Sequence, residues 1–287
     1  MQTIKNAFLY FCLFMLCFNC SNDTKSNEEV TIETESLNFY QELDVSYGSQ
    51  IDQKFNLYLP ANRSTDTKIM ILIHGGGWTS GDKSEMNAIK DVILQDLPEI
   101  AIVNMNYRLA TSFSDAYPKQ LDDITEVVNY LKTNASNYFI SNDIGFVGVS
   151  AGAHLALLWS YAFDTNSQTK MVCSIVGPTN FTDPAYLENA NPILQLLLGT
   201  DNATTDYLEE VSPYHQVKVL SPPTILFNGG KDPLIPITQG TDLRDKLNVL
   251  GIKNEFTLYE NEGHGWDGES LLDTWAKLKV FTKTHLY

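Results

Sequence analysis

Strands and helices alternate along this chain, which places it in the α/β class, with a mostly parallel central sheet flanked by helices and a small helical cap insertion. Three features carry that reading. From Lys68 onward, short apolar β-branched runs alternate with longer segments of helical period. One of those runs, "IGFVGV" (Ile144–Val149), passes directly into "AGAHLALLWSYAF" through a serine set between glycines. The third feature is the stretch Thr182 to Val217, rich in Asn, Asp, Pro and Leu, where short helical pieces follow one another with no strand.

In chain order, "YQELDVSYG" and "KFNLYLP" alternate apolar and polar residues like two antiparallel, half-exposed strands. "KIMILIHGGG" begins as a solid apolar run, the pattern of a strand covered on both faces. "EMNAIKDVILQDL" reads as a helix and "IAIVNMNY" as a strand. "YPKQLDDITEVVNYLKTNA" is a helix with Pro118 near its start, where a missing N–H costs nothing. After the Ile144–Val149 strand and its helix come the strands "MVCSIVG" and "PPTILFNGG". The helix "TQGTDLRDKLNVLG" closes on Gly251, and "EFTLYE" and "LLDTWAKLKVFTKTHL" complete the pattern as strand and helix. Right-handed crossovers between such strands give one mostly parallel sheet over residues 38–287. The insertion at about 182–217 is expected to lie over the ligand crevice, at the carboxyl ends of the strands.

Composition narrows the function classes. With 19 basic against 35 acidic residues, the formal charge is −16. Such a surface repels phosphate backbones, so a nucleic-acid partner is not expected. Cys12, Cys17 and Cys20 lie in the first twenty residues, and Cys173 stands alone in the body of the chain, in the apolar run "MVCSIVG". No disulfide framework is therefore expected in the domain, and Cys173 reads as a small core residue. Histidines and cysteines show no zinc-type spacing and there is no phosphate-cradling loop, so neither a metal nor a cofactor is expected. The pair Asp122–Asp123 reads as a helix's first turn complementing its dipole.

The chemistry concentrates in four stretches. "GVSAG" is Gly148-x-Ser150-x-Gly152 at a strand-to-helix junction, a tight turn that exposes a serine hydroxyl. "HGGGW", His74 to Trp78, follows a buried strand, and its unobstructed amides can converge on one oxygen. The backbone N–H groups of Gly76, Gly77 and Ala151 are the candidates for an oxyanion hole. His74 precedes the serine and reads as a brace for the glycine loop. A serine nucleophile needs a base, oriented in turn by a carboxylate, and on such an elbow the acid and then the histidine follow in the chain. Asp232 in "ILFNGGKDPLIP" and His264 in "YENEGHGWDG" each follow an apolar strand. His154 within the helix after the elbow, His215 in the cap and His285 near the terminus fit less well, and Asp183, Asp201 and Asp206 are weaker candidates for the acid. Trp78, Phe181 and Trp266 are candidate walls of a substrate pocket.

Together "HGGGWTSGDKS", "NYRLA", "GVSAGAHLALL" and "PPTILFNGGKDPLIP" resemble the α/β-hydrolase superfamily, in its HGGGW-type carboxylesterase branch. They are similar to bacterial acetyl xylan and feruloyl esterases over roughly Leu57 to the carboxyl terminus, and more distantly to kynurenine formamidases. The resemblance implies a serine carboxylesterase that cleaves acetyl or feruloyl-type esters, with a small acyl ester or acylated oligosaccharide as substrate. In it Ser150 is the nucleophile, His264 the base and Asp232 the orienting acid. An arylformamidase, another small-amide or lipid-ester hydrolase, or a non-catalytic binding protein on the same fold are the alternatives.

At the amino terminus, Lys5 and the apolar "AFLYFCLFMLCF" (Ala7 to Phe18) have the form of a signal peptide over residues 1–19. The apolar segment is shorter than the roughly 20 residues a membrane-spanning helix needs. "LCFNC", Leu16 to Cys20, resembles a bacterial lipoprotein signal, which implies lipidation of Cys20, with ordinary secretion as the alternative. Residues 20–37 then form an acidic tether, and the membrane is met only through the lipid.

Overall fold

The computed structural model describes residues 37–187 and 203–287. Eight strands form one sheet: β1 (Tyr40–Ser46), β2 (Lys54–Leu59), β3 (Ile69–Ile73), β4 (Ala101–Met105), β5 (Ile144–Val149), β6 (Thr169–Ile175), β7 (Thr224–Gly229) and β8 (Asn254–Tyr259). Their spatial order is β1-β2-β4-β3-β5-β6-β7-β8. Only β2 opposes the common direction, because it pairs antiparallel with both β1 and β4 while every other neighbouring pair is parallel. The mostly parallel sheet and its antiparallel entry hairpin follow the sequence expectation.

The apolar run of β3 has a simple physical reason. Ile69, Ile71 and Ile73 enter one core while Met70 and Leu72 enter another, so both faces of the strand are covered. Five longer helices supply the cover: α1 (Asn87–Asp96), α2 (Lys119–Tyr138), α3 (Ala151–Leu158), α4 (Ile237–Val249) and α5 (Gly268–His285). The first core takes Leu121, Ile124, Val127, Val128 and Leu131 from α2, Leu155 to Leu158 from α3 and Leu243 and Leu247 from α4. Ile93 of α1 and Leu278 and Phe281 of α5 fill the second. Every residue of α3 is buried, which is why that helix shows no amphipathic stripe. It continues as a π-helical turn over Trp159–Phe163.

The insertion carries helical turns at Pro184–Leu187, Thr205–Glu210 and Pro213–Gln216, and no strand among its described residues. Residues 188–202, and with them Asp201, lie outside the described residues, as do the leader, Cys20 and the tether up to residue 36.

The acid pair on α2 divides in two, unlike the sequence reading. Asp122 lies in the first turn, where the helix dipole favours it. Asp123 faces inward with no solvent exposure and accepts hydrogen bonds from Arg108 N (2.6 Å), Arg108 Nε (2.7 Å) and Gln53 Nε2 (3.0 Å). Successive helix positions point about 100° apart, so neighbours of identical type can serve solvent and core. Breaking a buried ion pair by removing one partner costs about 3–5 kcal/mol, and the partial exposure of Arg108 favours the low end. Asp123→Ala is accordingly expected to lose about 3 kcal/mol of unfolding free energy in urea, and Asp122→Ala less than about 1 kcal/mol. Equal losses would contradict the split.

Candidate active site

Chain topology selects the place. From β3 the chain crosses to β4 on one side and then returns to β5 on the other, so the loops after β3 and β5 part company at neighbouring strand ends. In open α/β sheets that divergence opens a crevice for ligands. Ile73 pairs with Gly148 in register, so the glycine loop after β3 and Ser150 after β5 leave the sheet side by side.

Ser150 sits at the turn with φ 53° and ψ −120°, a conformation few non-glycine residues adopt. Its amide donates to Ile175 O (2.8 Å), which ties the turn to β6. The flanking glycines are required by close approach. A Cβ on Gly148 would lie 2.4 Å from Gly152 O, and one on Gly152 would lie 2.3 Å from the carbonyl oxygens of both Ile73 and His74. Strand, helix and glycine loop therefore meet backbone to backbone.

Ser150, His264 and Asp232 come together from three loops. His264 Nδ1 lies 2.7 Å from Asp232 Oδ2, and His264 Nε2 lies 2.9 Å from Ser150 Oγ. An ionised carboxylate only accepts, so Nδ1 carries the hydrogen and Nε2 presents a lone pair to the serine hydroxyl. The Asp232 side chain is 1% exposed, and its other oxygen accepts from Leu234 N (2.8 Å) and Ile235 N (3.1 Å). A buried carboxylate needs such partners, and here they also fix its rotamer. Gly229 admits the histidine loop: a Cβ there would lie 2.0 Å from Gly263 O. Lys231 N donates to Glu262 O (2.8 Å), stitching the two loops together. Local sequence pattern assigns no role to Gly229 and Gly230, although the doubled glycine ahead of Asp232 is the available signal.

Gly76 and Gly77 take left-handed backbone (φ 103° and 56°). Their amides and that of Ala151 donate to no acceptor among the described residues, and all three residues line the cavity beside Ser150. His74 is fully buried, donates from Nδ1 to Gly75 O (2.7 Å) and stacks on Tyr107 (4.3 Å between ring centroids). Burial holds its pKa below the ordinary 6.5. Tyr107 donates to His74 O (3.1 Å) and Gly75 O (2.8 Å). Both rings brace the glycine loop from beneath.

Trp78 closes that loop with φ 63°. Its carbonyl accepts from Gln120 Nε2 (2.7 Å) and Ala110 N (2.9 Å), and its indole N–H donates to His154 Nδ1 (3.2 Å). Because Nδ1 accepts, His154 Nε2 carries the hydrogen and donates to Val211 O (2.8 Å). The helix after the elbow thereby holds the loop and the insertion through one imidazole.

A cavity of about 430 Å³ opens on Ser150 and His264. Met86, Ile89, Leu234 and Ile235 supply much of its apolar wall, and Glu85 joins the lining. Of the three aromatic residues expected as walls, Trp78 lines it; Phe181 and Trp266 do not. Phe181 is fully buried, packed edge-on against Trp78 (6.2 Å) and His154 (5.1 Å). Trp266 leans on Tyr259 (4.9 Å) and donates to Thr274 Oγ1 (2.8 Å). Each gains more from packing than from an open crevice. No described residue of the insertion lines the cavity. Asp183 is buried and receives Gln239 Nε2 (2.9 Å), Asp206 is exposed, and the imidazole pairs with Asp232 instead.

The BD-FAE family model matches residues 55–247. Isoprenylcysteine alpha-carbonyl methylesterase ICME of Arabidopsis thaliana is 26% identical over 243 residues, covering 77% of this chain and 55% of that protein. Kynurenine formamidase of Danio rerio is 29% identical over 118 residues, 40% of this chain and 37% of that protein. The chain spans about half the length, or less, of these curated relatives. Among solved structures, a truncated form of carbohydrate esterase from gut microbiota superposes with a TM-score of 0.71 at 21% identity, over 86% of this chain and 98% of that one. At that identity the likeness bears on the fold, which is the α/β-hydrolase fold.

Burial pushes the His154 pKa down from 6.5 to about 4. Between those values the unfolded chain binds the more protons, so stability falls as pH drops through that window. The imidazole is expected to remove about 1.4 kcal/mol per pH unit there. Urea midpoints taken from about pH 7 to 4 should fall more steeply for the wild type than for His154→Gln; parallel slopes would contradict a neutral buried imidazole.

Proposed function

This chain belongs to the BD-FAE family, and from that premise we propose that it is a serine carboxylesterase acting on short acyl esters of carbohydrates. The observation that carries the reading is the unbroken hydrogen-bond chain from Asp232 through His264 to Ser150, opening onto a cavity beside three uncommitted amides. Ser150 Oγ attacks the ester carbonyl carbon while His264 Nε2 takes the hydroxyl proton. Asp232 holds the imidazole in the required tautomer and balances the imidazolium that forms. The carbonyl oxygen, now charged, meets the amides of Gly76, Gly77 and Ala151, each worth about 2.7–4 kcal/mol in comparable sites. Collapse expels the alcohol, protonated by His264, and leaves an acyl group on Ser150. Water repeats the sequence and frees the acid.

Two things support a short acyl group on a sugar. The cavity volume suits a small acyl chain with part of its alcohol. The similar carbohydrate esterase, and a leader with the form of a signal peptide, favour a polysaccharide fragment as the alcohol part. The kynurenine formamidase likeness favours a second reading, hydrolysis of an N-formyl amide by the same residues. For localisation we propose removal of residues 1–19 and lipidation of Cys20, which would tether the enzyme to the cell envelope.

Turnover of p-nitrophenyl acetate and butyrate is expected from the wild type and should fall to background in Ser150→Ala. Asp232→Asn should lose on the order of 10⁴-fold in kcat, since the imidazole then adopts the wrong tautomer. Retained activity in Ser150→Ala removes the serine from its role. N-formylkynurenine in the same assay decides between the readings: a higher kcat/KM on it than on acetylated xylo-oligosaccharides would favour the formamidase. For the leader, the wild type expressed in a bacterium is expected in the detergent phase of a phase partition, and Cys20→Ala in the aqueous phase. Identical partition of the two would overturn the lipid anchor.

A further inference from the structure

We propose that Glu85 is a charge filter on this cavity, disfavouring esters that carry an anionic group close to the scissile bond. The inference rests on the hydrolase reading and adds a specificity-determining residue to it. Glu85 is exposed and lines the cavity together with Ser150, His264 and the glycine loop. Apart from His264, it is the only ionisable side chain among the described residues that line the cavity.

Its neighbours show that its charge is uncommitted. Asp82 accepts from Ser84 N (2.8 Å) and Asn106 Nδ2 (2.9 Å). Lys83, two positions before Glu85, sends Nζ to Asp44 (2.8 Å), and Lys90 pairs with Asp91 (2.7 Å). The Glu85 carboxylate has no such partner among the described residues. Its field reaches the underside of the glycine loop, where it favours the protonated forms of His74 and Tyr107.

A carboxylate that lines the same cavity as the oxyanion opposes that charge, so it does not promote the turnover of a neutral ester. What it contributes is discrimination. A second anion in the cavity meets the repulsion of that charge, whereas a hydroxyl-bearing alcohol finds an acceptor. Neutral acylated sugars are therefore admitted, and acyl esters adjacent to a uronate carboxylate are poor substrates.

The test compares two p-nitrophenyl esters of matched length, the neutral butyrate and the anionic hemisuccinate, with the wild type, Glu85→Gln and Glu85→Lys. The wild type is expected to favour the butyrate in kcat/KM by roughly tenfold or more, after correction for the esters' spontaneous hydrolysis rates. Glu85→Gln should shrink that preference about threefold or more, and Glu85→Lys further still. Added salt should narrow the wild-type ratio and leave the Glu85→Gln ratio comparatively flat, because an exposed charge is screened. Butyrate turnover with the same ratio in all three proteins would overturn the filter and leave the hydrolase reading intact. If no protein turns over the butyrate, the hydrolase reading falls and the filter with it.

Discussion

The turn at Ser150 is the constraint on which the rest of the site depends. A non-glycine residue at φ 53° and ψ −120° costs on the order of 1–3 kcal/mol, and it persists only where its surroundings leave no alternative. Here β5 enters the turn fully paired between β3 and β6, and α3 leaves it with every residue buried. The backbone between two such immovable elements has no room to relax. Because Gly152 lies against the carbonyls of Ile73 and His74, the same packing fixes where the glycine loop begins. Ser150 and the amides of the glycine loop are thus set by one backbone contact.

Beneath the loop lies a layer of buried polar side chains that would be costly without partners. Tyr107, Trp78, His154 and Gln120 each donate to a backbone carbonyl or to one another. The loop cannot form regular structure while its amides stay open, so its carbonyls take up these donors instead. His154 also reaches Val211 O, so the insertion is anchored to the helix that follows the elbow.

Asp232 and His264 are held differently from Ser150. Asp232 is buried and saturated with hydrogen bonds, whereas the His264 side chain retains 26% exposure. The acid is the more firmly held of the two, and its hydrogen bond locates the imidazole. Loop-to-loop hydrogen bonding at Lys231 N and the close pass of Gly229 and Gly263 hold the histidine loop against the loop that carries Asp232.

Sequence alone determined the strand and helix order, the buried β3, the elbow at Ser150 and the choice of Asp232 and His264 as its partners. These are local signals: apolar periodicity, glycines at a junction, a polar residue just past an apolar strand. Whether three loops meet is not local, and only the tertiary structure brought the imidazole within 2.9 Å of the hydroxyl. It likewise decided that Asp123 is a buried partner of Arg108 while Asp122 is not, since one helical step changes the face but not the residue type. Phe181 and Trp266 lie outside the cavity lining for the same reason: an aromatic side chain is equally at home in a crevice wall or packed against other rings, and its neighbours, which come from distant parts of the chain, determine which.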